Sequence, residues 1–295
     1  MRSPFFASPL RYPGGKATFA RLLAEVLRRN EVDNCVYAEP FAGGAGAALS
    51  LLYAEQVSRI LINDLDPQMA AFWRSILTDT DAFLSLLRGT RPSLREWERQ
   101  RAIYVDHKKH SDLETGFATF FLNRCNRSGI IVNGGPIGGF SQCGKWGVDA
   151  RWSPDALAGR IQRIAAYKRR IEFFQMEAQA FLSDVVLPRS DGNMFVYLDP
   201  PYFEKGALLY MNSYQPRDHE RLANYLKRIR RFRWMLSYDN SPKIRKMYKG
   251  LTHRSIHLTY TAHGRSRGKE VLIHRRELDV PRNLSHWIGG RSTQA

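Results

Sequence analysis

The chain has 295 residues with a formal net charge of +17 and a pI near 10.1. Hydrophobic residues make up 43% of it, enough for a sizeable core in one large domain or two small ones. The charge implies a polyanionic partner, most simply nucleic acid, and the absence of an 18-residue apolar run excludes a membrane-spanning helix.

The start, Met1-Arg2-Ser3-Pro4, lacks the apolar core of a signal peptide. Three widely spaced cysteines, Cys35, Cys125 and Cys143, fit free thiols in a reducing compartment. No CxxC or HExxH spacing occurs, and His107 and His110 read as a solvated basic face, so no metal is expected.

In chain order, Ala17 to Arg29 carries an apolar stripe of helical period (Phe19, Leu22, Leu23, Val26, Leu27). Cys35–Ala38 is a short strand candidate. It runs into Glu39-Pro40-Phe41-Ala42-Gly43-Gly44-Ala45-Gly46 and then a helix, Ala47–Leu52. Strand, glycine loop and helix form the first half of a βαβ unit. A second strand, Ile60–Ile62, ends at Asn63-Asp64, and Pro67 opens a helix over Gln68–Leu77.

From Thr78 to Arg170 the texture changes to charge, glycine and aromatics. Helices are predicted at Arg99–His110, Phe117–Arg124 and Pro154–Arg170, with a long Gly- and Asn-rich loop from Asn126 to Val148. Strand–helix alternation then returns. A central strand is predicted at Met194–Leu198, an amphipathic helix at Asp218–Arg231 and a strand at Trp234–Tyr238. A late hairpin of Ser255–Tyr260 and Val271–Arg275 is joined by a basic loop, His263–Lys269. The tail from Asn283 reads as frayed. The alternation predicts an α/β class; we expect residues 1–77 and 171–285 to form one domain, 78–170 a mostly helical insertion, and 286–295 a tail.

Asp199-Pro200-Pro201-Tyr202 closes the central strand. The two prolines stiffen the turn and leave carbonyls to accept from a ligand. Asp199 adds a carboxylate acceptor and Tyr202 a flat π-face. The set suits a planar ring bearing an exocyclic amine, such as the amine of adenine or cytosine. Taken alone, Asp-Pro-Pro is also an ordinary loop sequence.

Three other features accompany it. The loop Phe41 to Gly46 lets the backbone approach a nucleoside-bearing ligand, although a tight strand-to-helix turn would read the same way. Asp64, 18 residues after Gly46 at the end of the next strand, can accept from ribose hydroxyls, with Asp66 the better helix cap. Arg11-Tyr12-Pro13-Gly14-Gly15-Lys16 places a cation where it could meet the carboxylate of an amino-acid-bearing cofactor, or simply makes a turn.

Together the blocks Arg11–Lys16, Glu39–Gly44 and Asp199–Tyr202 resemble, in order, those of the Dam-like, D12-class N6-adenine DNA methyltransferases. The resemblance spans nearly the whole chain. It implies a Rossmann-like sheet, S-adenosylmethionine as methyl donor, cofactor contacts from Tyr12, Lys16, Glu39, Phe41, Gly43, Asp64 and Asp199, and catalysis at Asp199, Pro200, Pro201 and Tyr202. Tyr12 stands where the family often has Trp. The insertion would recognise double-stranded DNA, with Arg124, Asn126, Arg127, Asn133 and Lys145 as candidate contacts, joined by Arg265 and Arg267. Asn133, before Gly134-Gly135, also suits a turn. Glu270 resembles part of the family's terminal strand block.

The implied reaction is direct methyl transfer to a flipped-out adenine, by a cytoplasmic enzyme with or without a restriction partner. Cytosine-N4 or RNA-adenine methylation uses the same type of amine. A non-catalytic DNA-binding protein with a vestigial fold is the reading from a different class; intact Lys16, Asp64 and Asp199 oppose it.

Overall fold

The computed structural model describes residues 7–11, 16–32, 34–203, 214–260 and 266–288. Among them, seven strands form one sheet: β1 (Cys35–Glu39), β2 (Val57–Asn63), β3 (Ile171–Phe174), β4 (Met194–Leu198), β5 (Arg233–Asp239), β6 (Thr252–Tyr260) and β7 (Ser266–His274). Their order is β3-β2-β1-β4-β5-β7-β6. The first five are parallel, while β7 runs antiparallel to β5 and β6 antiparallel to β7.

This is a Rossmann-like α/β sheet. β1 pairs with both β2 and β4, so the chain's winding reverses between β1 and β4. A crevice opens beyond the carboxyl ends of the strands at such a reversal. Glu39 is the last residue of β1, and Asp199 directly follows β4. The central position of β4 explains its unbroken apolar run: all five residues are buried.

Apolar side chains cover both faces. Helix α1 (Ala20–Arg29) buries Leu22, Leu23, Val26 and Leu27, and a 3-10 turn, Lys16–Phe19, leads into it. α2 (Gly46–Tyr53) follows the glycine loop, and α3 (Pro67–Thr78) follows β2, capped by the Asp66 carboxylate, which accepts from the Gln68 and Met69 amides. Helices α4 (Thr80–Gly89), α5 (Leu94–Val105), α6 (Asp112–Cys125) and α7 (Pro154–Ala166) fill the segment between α3 and β3.

Those helices share one apolar core with the sheet: Phe83, Trp97, Phe120 and Ile161 belong to the same cluster as Tyr37, Ile60 and Phe195. α3 and α6 touch through their backbones. A Cβ on Gly116 would lie 2.6 Å from the Ala71 carbonyl oxygen, so only glycine fits there. The other sheet face is covered by a helical stretch, α8 (178–189, in part a π turn), and by α9 (Pro216–Arg228), with Phe181, Leu222, Leu226 and Trp234 in its core.

Several boundaries differ from expectation, each for a local reason. The helix expected over Arg99–His110 starts earlier, at Leu94, because Ser93 caps it by accepting from the Glu96 amide, and it stops at Val105 before a 3-10 turn, His107–Lys109. The helix expected to reach Arg170 ends at Ala166, with Lys168–Arg170 again 3-10. α4, the edge strand β3 and a short helix α10 (Pro242–Met247) are additions to the expected elements. The late hairpin has longer strands, so Ser266–Lys269 pair with β6 instead of belonging to a loop. The expected frayed tail contains a short helix, α11 (Leu284–Trp287), whose Leu284 is buried in the main core.

Candidate active site

The glycine loop is built by its neighbours. Gly43 has φ 47° and Ala45 φ 46°, both left-handed. The Gly43 amide donates to Asp64 Oδ2 at 3.0 Å, and the Trp73 indole donates to the Gly43 carbonyl at 2.9 Å. Asp64 Oδ1 also accepts from the Asp66 amide at 3.0 Å. Asn63, 1% exposed, ties three strand ends together. Its amide donates to the Pro40 carbonyl (2.9 Å) and the Met176 carbonyl (3.1 Å), and its oxygen accepts from the Met176 amide (3.0 Å).

Glu39 Oε1 accepts from the Tyr37 hydroxyl (2.9 Å) and the Ala48 amide (3.0 Å). Burial raises both acids: Glu39 to about 8, and Asp64 to about 7 with help from the nearby Asp66 charge. Glu39, Phe41, Gly43 and Asp64 line one cavity of about 420 Å³ that also reaches Asp199, Pro201 and Tyr202. Pro200, between Asp199 and Pro201 in sequence, is buried.

Lys16, Asp199 and Tyr202, which also line this cavity, belong to a charge network paired within the protein. Lys16 is 7% exposed, and its Nζ lies 3.1 Å from Asp199 Oδ1 and 3.1 Å from Glu270 Oε1. It also donates to the Tyr202 hydroxyl at 3.5 Å, which in turn donates to Glu270 Oε1. Asp199 Oδ1 accepts from the Ser237 hydroxyl at 2.7 Å, and Ser237 is hydrogen-bonded to the Tyr197 hydroxyl at 2.8 Å. Both neighbours engage Oδ1, so neither uses Oδ2. Burial raises the Asp199 pKa, with Lys16 opposing and Glu270 reinforcing the shift. The turn that carries Tyr202 is fixed where the Phe203 amide donates to Asp239 Oδ1 at 2.8 Å.

The sequence suggests Lys16 as a cation for a cofactor carboxylate; in the structure it pairs with two internal carboxylates. Glu270, met in the sequence only as part of a strand block, is the second of them. Ser237 carries no sequence signal, since a serine inside an apolar strand reads as filler until its partner is known.

The recognition candidates are not together. Arg124, 8% exposed, points its guanidinium inward, where Nε and Nη2 donate to the Arg151 carbonyl at 3.1 and 2.6 Å. It lines the same cavity as Asp64 and does not sit on an open surface. Asn126 is fully buried; its oxygen accepts from the Trp97 indole (2.6 Å) and its amide donates to the Ile130 carbonyl (2.8 Å). Both ends of that side chain are spent closing the loop, so it is not available to base edges. Asn123 does similar work, clasping the Arg11 backbone amide and carbonyl at 2.6 and 2.7 Å.

Arg127, Asn133 and Lys145 are exposed, Asn133 in the left-handed conformation of a turn (φ 56°). Lys145 lies over the exposed Trp146 ring at 5.7 Å. Tyr12 and Arg265 fall outside the described residues. Arg267 pairs with Thr259 through its backbone in the hairpin. Among the described residues, no group of acids, histidines and cysteines could hold a metal, and no helix is long and apolar enough to cross a membrane.

The cavity therefore brings the left-handed glycine loop, Asp64 and Asp199 onto one lining. The model of the D12 class N6 adenine-specific DNA methyltransferases matches residues 12–262. A search of curated protein sequences gives no match. Among solved structures, the chain is similar to TrmN from Thermus thermophilus (12% identity, TM-score 0.37) over 86% of its own length and 48% of that chain. It spans about half the length of that protein. It is also similar to the rRNA methyltransferase aviRa from Streptomyces viridochromogenes (16% identity, TM-score 0.35), covering 86% of this chain and 84% of that one. Likeness at such TM-scores bears on neither substrate nor mechanism.

Proposed function

The chain belongs to the D12 class N6 adenine-specific DNA methyltransferases, and from that premise we propose that it is a site-specific enzyme acting on adenine N6 in double-stranded DNA. S-adenosylmethionine supplies the electrophilic methyl group when bound. The observation that carries the reading is the state of Asp199: Oδ1 is held by Lys16 and Ser237 at the edge of the cavity that Asp64 and the glycine loop share.

The residues divide the work as follows. Asp64 takes the ribose hydroxyls and Glu39 the ammonium group of the methionine portion, while Phe41 and Gly43 bound the nucleoside. Asp199 accepts an N–H of the adenine amine through Oδ2, and the Pro200 carbonyl accepts the other. The lone pair of that nitrogen is otherwise delocalised into the ring, so acceptance of both hydrogens favours a pyramidal nucleophile and offsets the charge that develops on it. Alignment of nitrogen, methyl and sulfur supplies much of the rest. Tyr202, with its hydroxyl tethered to Glu270, gives the extruded ring a face; N6 is unreachable in the stacked duplex, so the base must leave it.

Residues 1–77 and 171–285 carry the chemistry. Residues 78–170 carry recognition, with Arg127 and Lys145 on the exposed loop contacting DNA. The test is transfer of tritiated methyl groups to duplex DNA, with detection of N6-methyladenine, for the native protein and Asp199→Asn. The reading expects methyladenine from the first and a loss of at least a hundredfold in the second. A product methylated at cytosine, or a variant within tenfold of the native rate, would overturn it.

A further inference from the structure

Besides the acids, four arginines line the cavity: Arg11, Arg124, Arg151 and Arg160. Arg124 is the most enclosed of the four. It and Arg11 are desolvated, and the positive charges repel one another: burial, then Arg11 and Arg160, lower the Arg124 pKa to about 9, and Arg151 acts on Arg11 in the same direction. Among the described residues no carboxylate forms an ion pair with Arg11, Arg124 or Arg151. Arg124 is buried beside these other guanidinium groups, a costly arrangement unless an anion joins it, and guanidinium groups are the side chains best matched to a bidentate oxyanion.

The cluster is constructed, not incidental. Asn123 grips the Arg11 backbone, Arg124 is seated on the Arg151 carbonyl, and Arg160 donates to the Ser8 carbonyl at 3.4 Å. These contacts hold together residues from the N-terminal segment, the end of α6, the stretch just before α7, and α7 itself.

We propose that this arginine wall is the oxyanion subsite for the carboxylate of the cofactor's methionine portion, a role that rests on the methyltransferase reading above. An amino acid carries an ammonium and a carboxylate on one carbon, so it needs an acid and a cation within a single enclosure. Glu39 supplies the acid. Lys16, the sequence's candidate for the cation, is neutralised by Asp199 and Glu270, and the arginines take its place. A DNA phosphate is the competing oxyanion. Against it stand the burial of Arg124 and its position in the cavity that also holds Asp64 and the glycine loop, whereas duplex phosphates meet outer surfaces.

The experiment compares S-adenosylhomocysteine with 5′-methylthioadenosine, which keeps the nucleoside and lacks the amino-acid portion, by calorimetric titration of the native protein, Arg124→Met and Arg151→Met. The second variant is the safeguard against misfolding, because Arg151 holds Arg124 through its backbone carbonyl and its own side chain is exposed. The expected result is at least a tenfold loss of S-adenosylhomocysteine affinity in both variants, with 5′-methylthioadenosine within twofold of native. Unchanged S-adenosylhomocysteine affinity in the two variants overturns the proposal, as does an equal loss for both nucleosides. If the variants instead weaken duplex DNA binding and flatten its salt dependence with cofactor affinity intact, the wall serves a phosphate and the proposal fails. Native protein that binds neither nucleoside overturns the cofactor reading itself, a result separable from all of these.

Discussion

Replacing Lys16 by methionine isolates the charge balance at the centre of the site. Nζ lies 3.1 Å from a carboxylate oxygen of Asp199 and 3.1 Å from one of Glu270. At an effective dielectric of about 20, each contact is worth about 5 kcal/mol before desolvation. Desolvation offsets much of that, and breaking a buried pair by removing one partner costs roughly 3–5 kcal/mol. Methionine keeps the apolar stem, so the loss reports charge rather than volume. The expected outcome in urea unfolding at pH 7.5 is destabilisation of about 3–5 kcal/mol.

The deficit should depend on pH with a definite sign. Asp199 already has a raised pKa, and Lys16 is the interaction that restrains it. Without Lys16 the folded-state pKa rises further. A group raised in the folded state contributes its stability below the unfolded pKa and loses it as pH rises through the folded value. The variant's deficit should therefore shrink steadily as pH falls from 7.5 towards 5, and Glu270→Gln added to Lys16→Met should recover part of it at pH 7.5. A deficit below about 1 kcal/mol, or one that is flat with pH, would refute the account of the triad.

Three further outcomes are expected. Asp64→Ala should cost roughly 1.5–3 kcal/mol in binding both S-adenosylhomocysteine and 5′-methylthioadenosine, because a charged acceptor to the shared nucleoside is lost; calorimetry that shows unchanged affinity would leave Asp64 only its structural bonds. Glu39 is held mostly protonated at pH 7 by burial, with a pKa of about 8, and an ammonium partner needs the carboxylate. Cofactor binding should then release protons and tighten as pH rises from 6 to 8, measured in buffers of different ionisation enthalpy, with both effects diminished in Glu39→Gln. Asn126→Ala should destabilise the fold by about 2–3 kcal/mol by leaving the Trp97 indole and the Ile130 carbonyl unpaired. Measured by thermal unfolding, a neutral result would mean that water replaces the side chain.

Where the sequence is legible, a strong periodic or stereochemical constraint is at work. The Met194–Leu198 run needs a strand buried on both faces. Asp66 before Pro67 needs a helix start; both are as expected. What stays hidden depends on partners distant in sequence. Lys16 and Glu270 are 254 residues apart, and nothing local to either announces the pair. Asn126 and Arg124 look like surface recognition groups because polar residues beside a glycine-rich loop usually are exposed. Their inward turn follows from Trp97 and from the Arg151 carbonyl, two residues that a local pattern cannot connect to them. β3 escapes notice because it is a four-residue edge strand with a charged residue inside it.

The backbone contact at Gly116 sets the terms on which relatives of this enzyme can exchange parts. A Cβ there would collide with the Ala71 carbonyl, and the two helices in contact lie on opposite sides of the boundary at residue 78. A chimera joined at that boundary would graft one half of a fitted surface onto a stranger's other half. Transplanting the helical segment thus requires α3 to travel with it. The loop from Asn126 to Val148 is instead anchored at its ends and through Gln142, whose amide closes it upon Ile137 and Gly139. Diversification by loop replacement leaves the fitted helices untouched; diversification by segment shuffling does not.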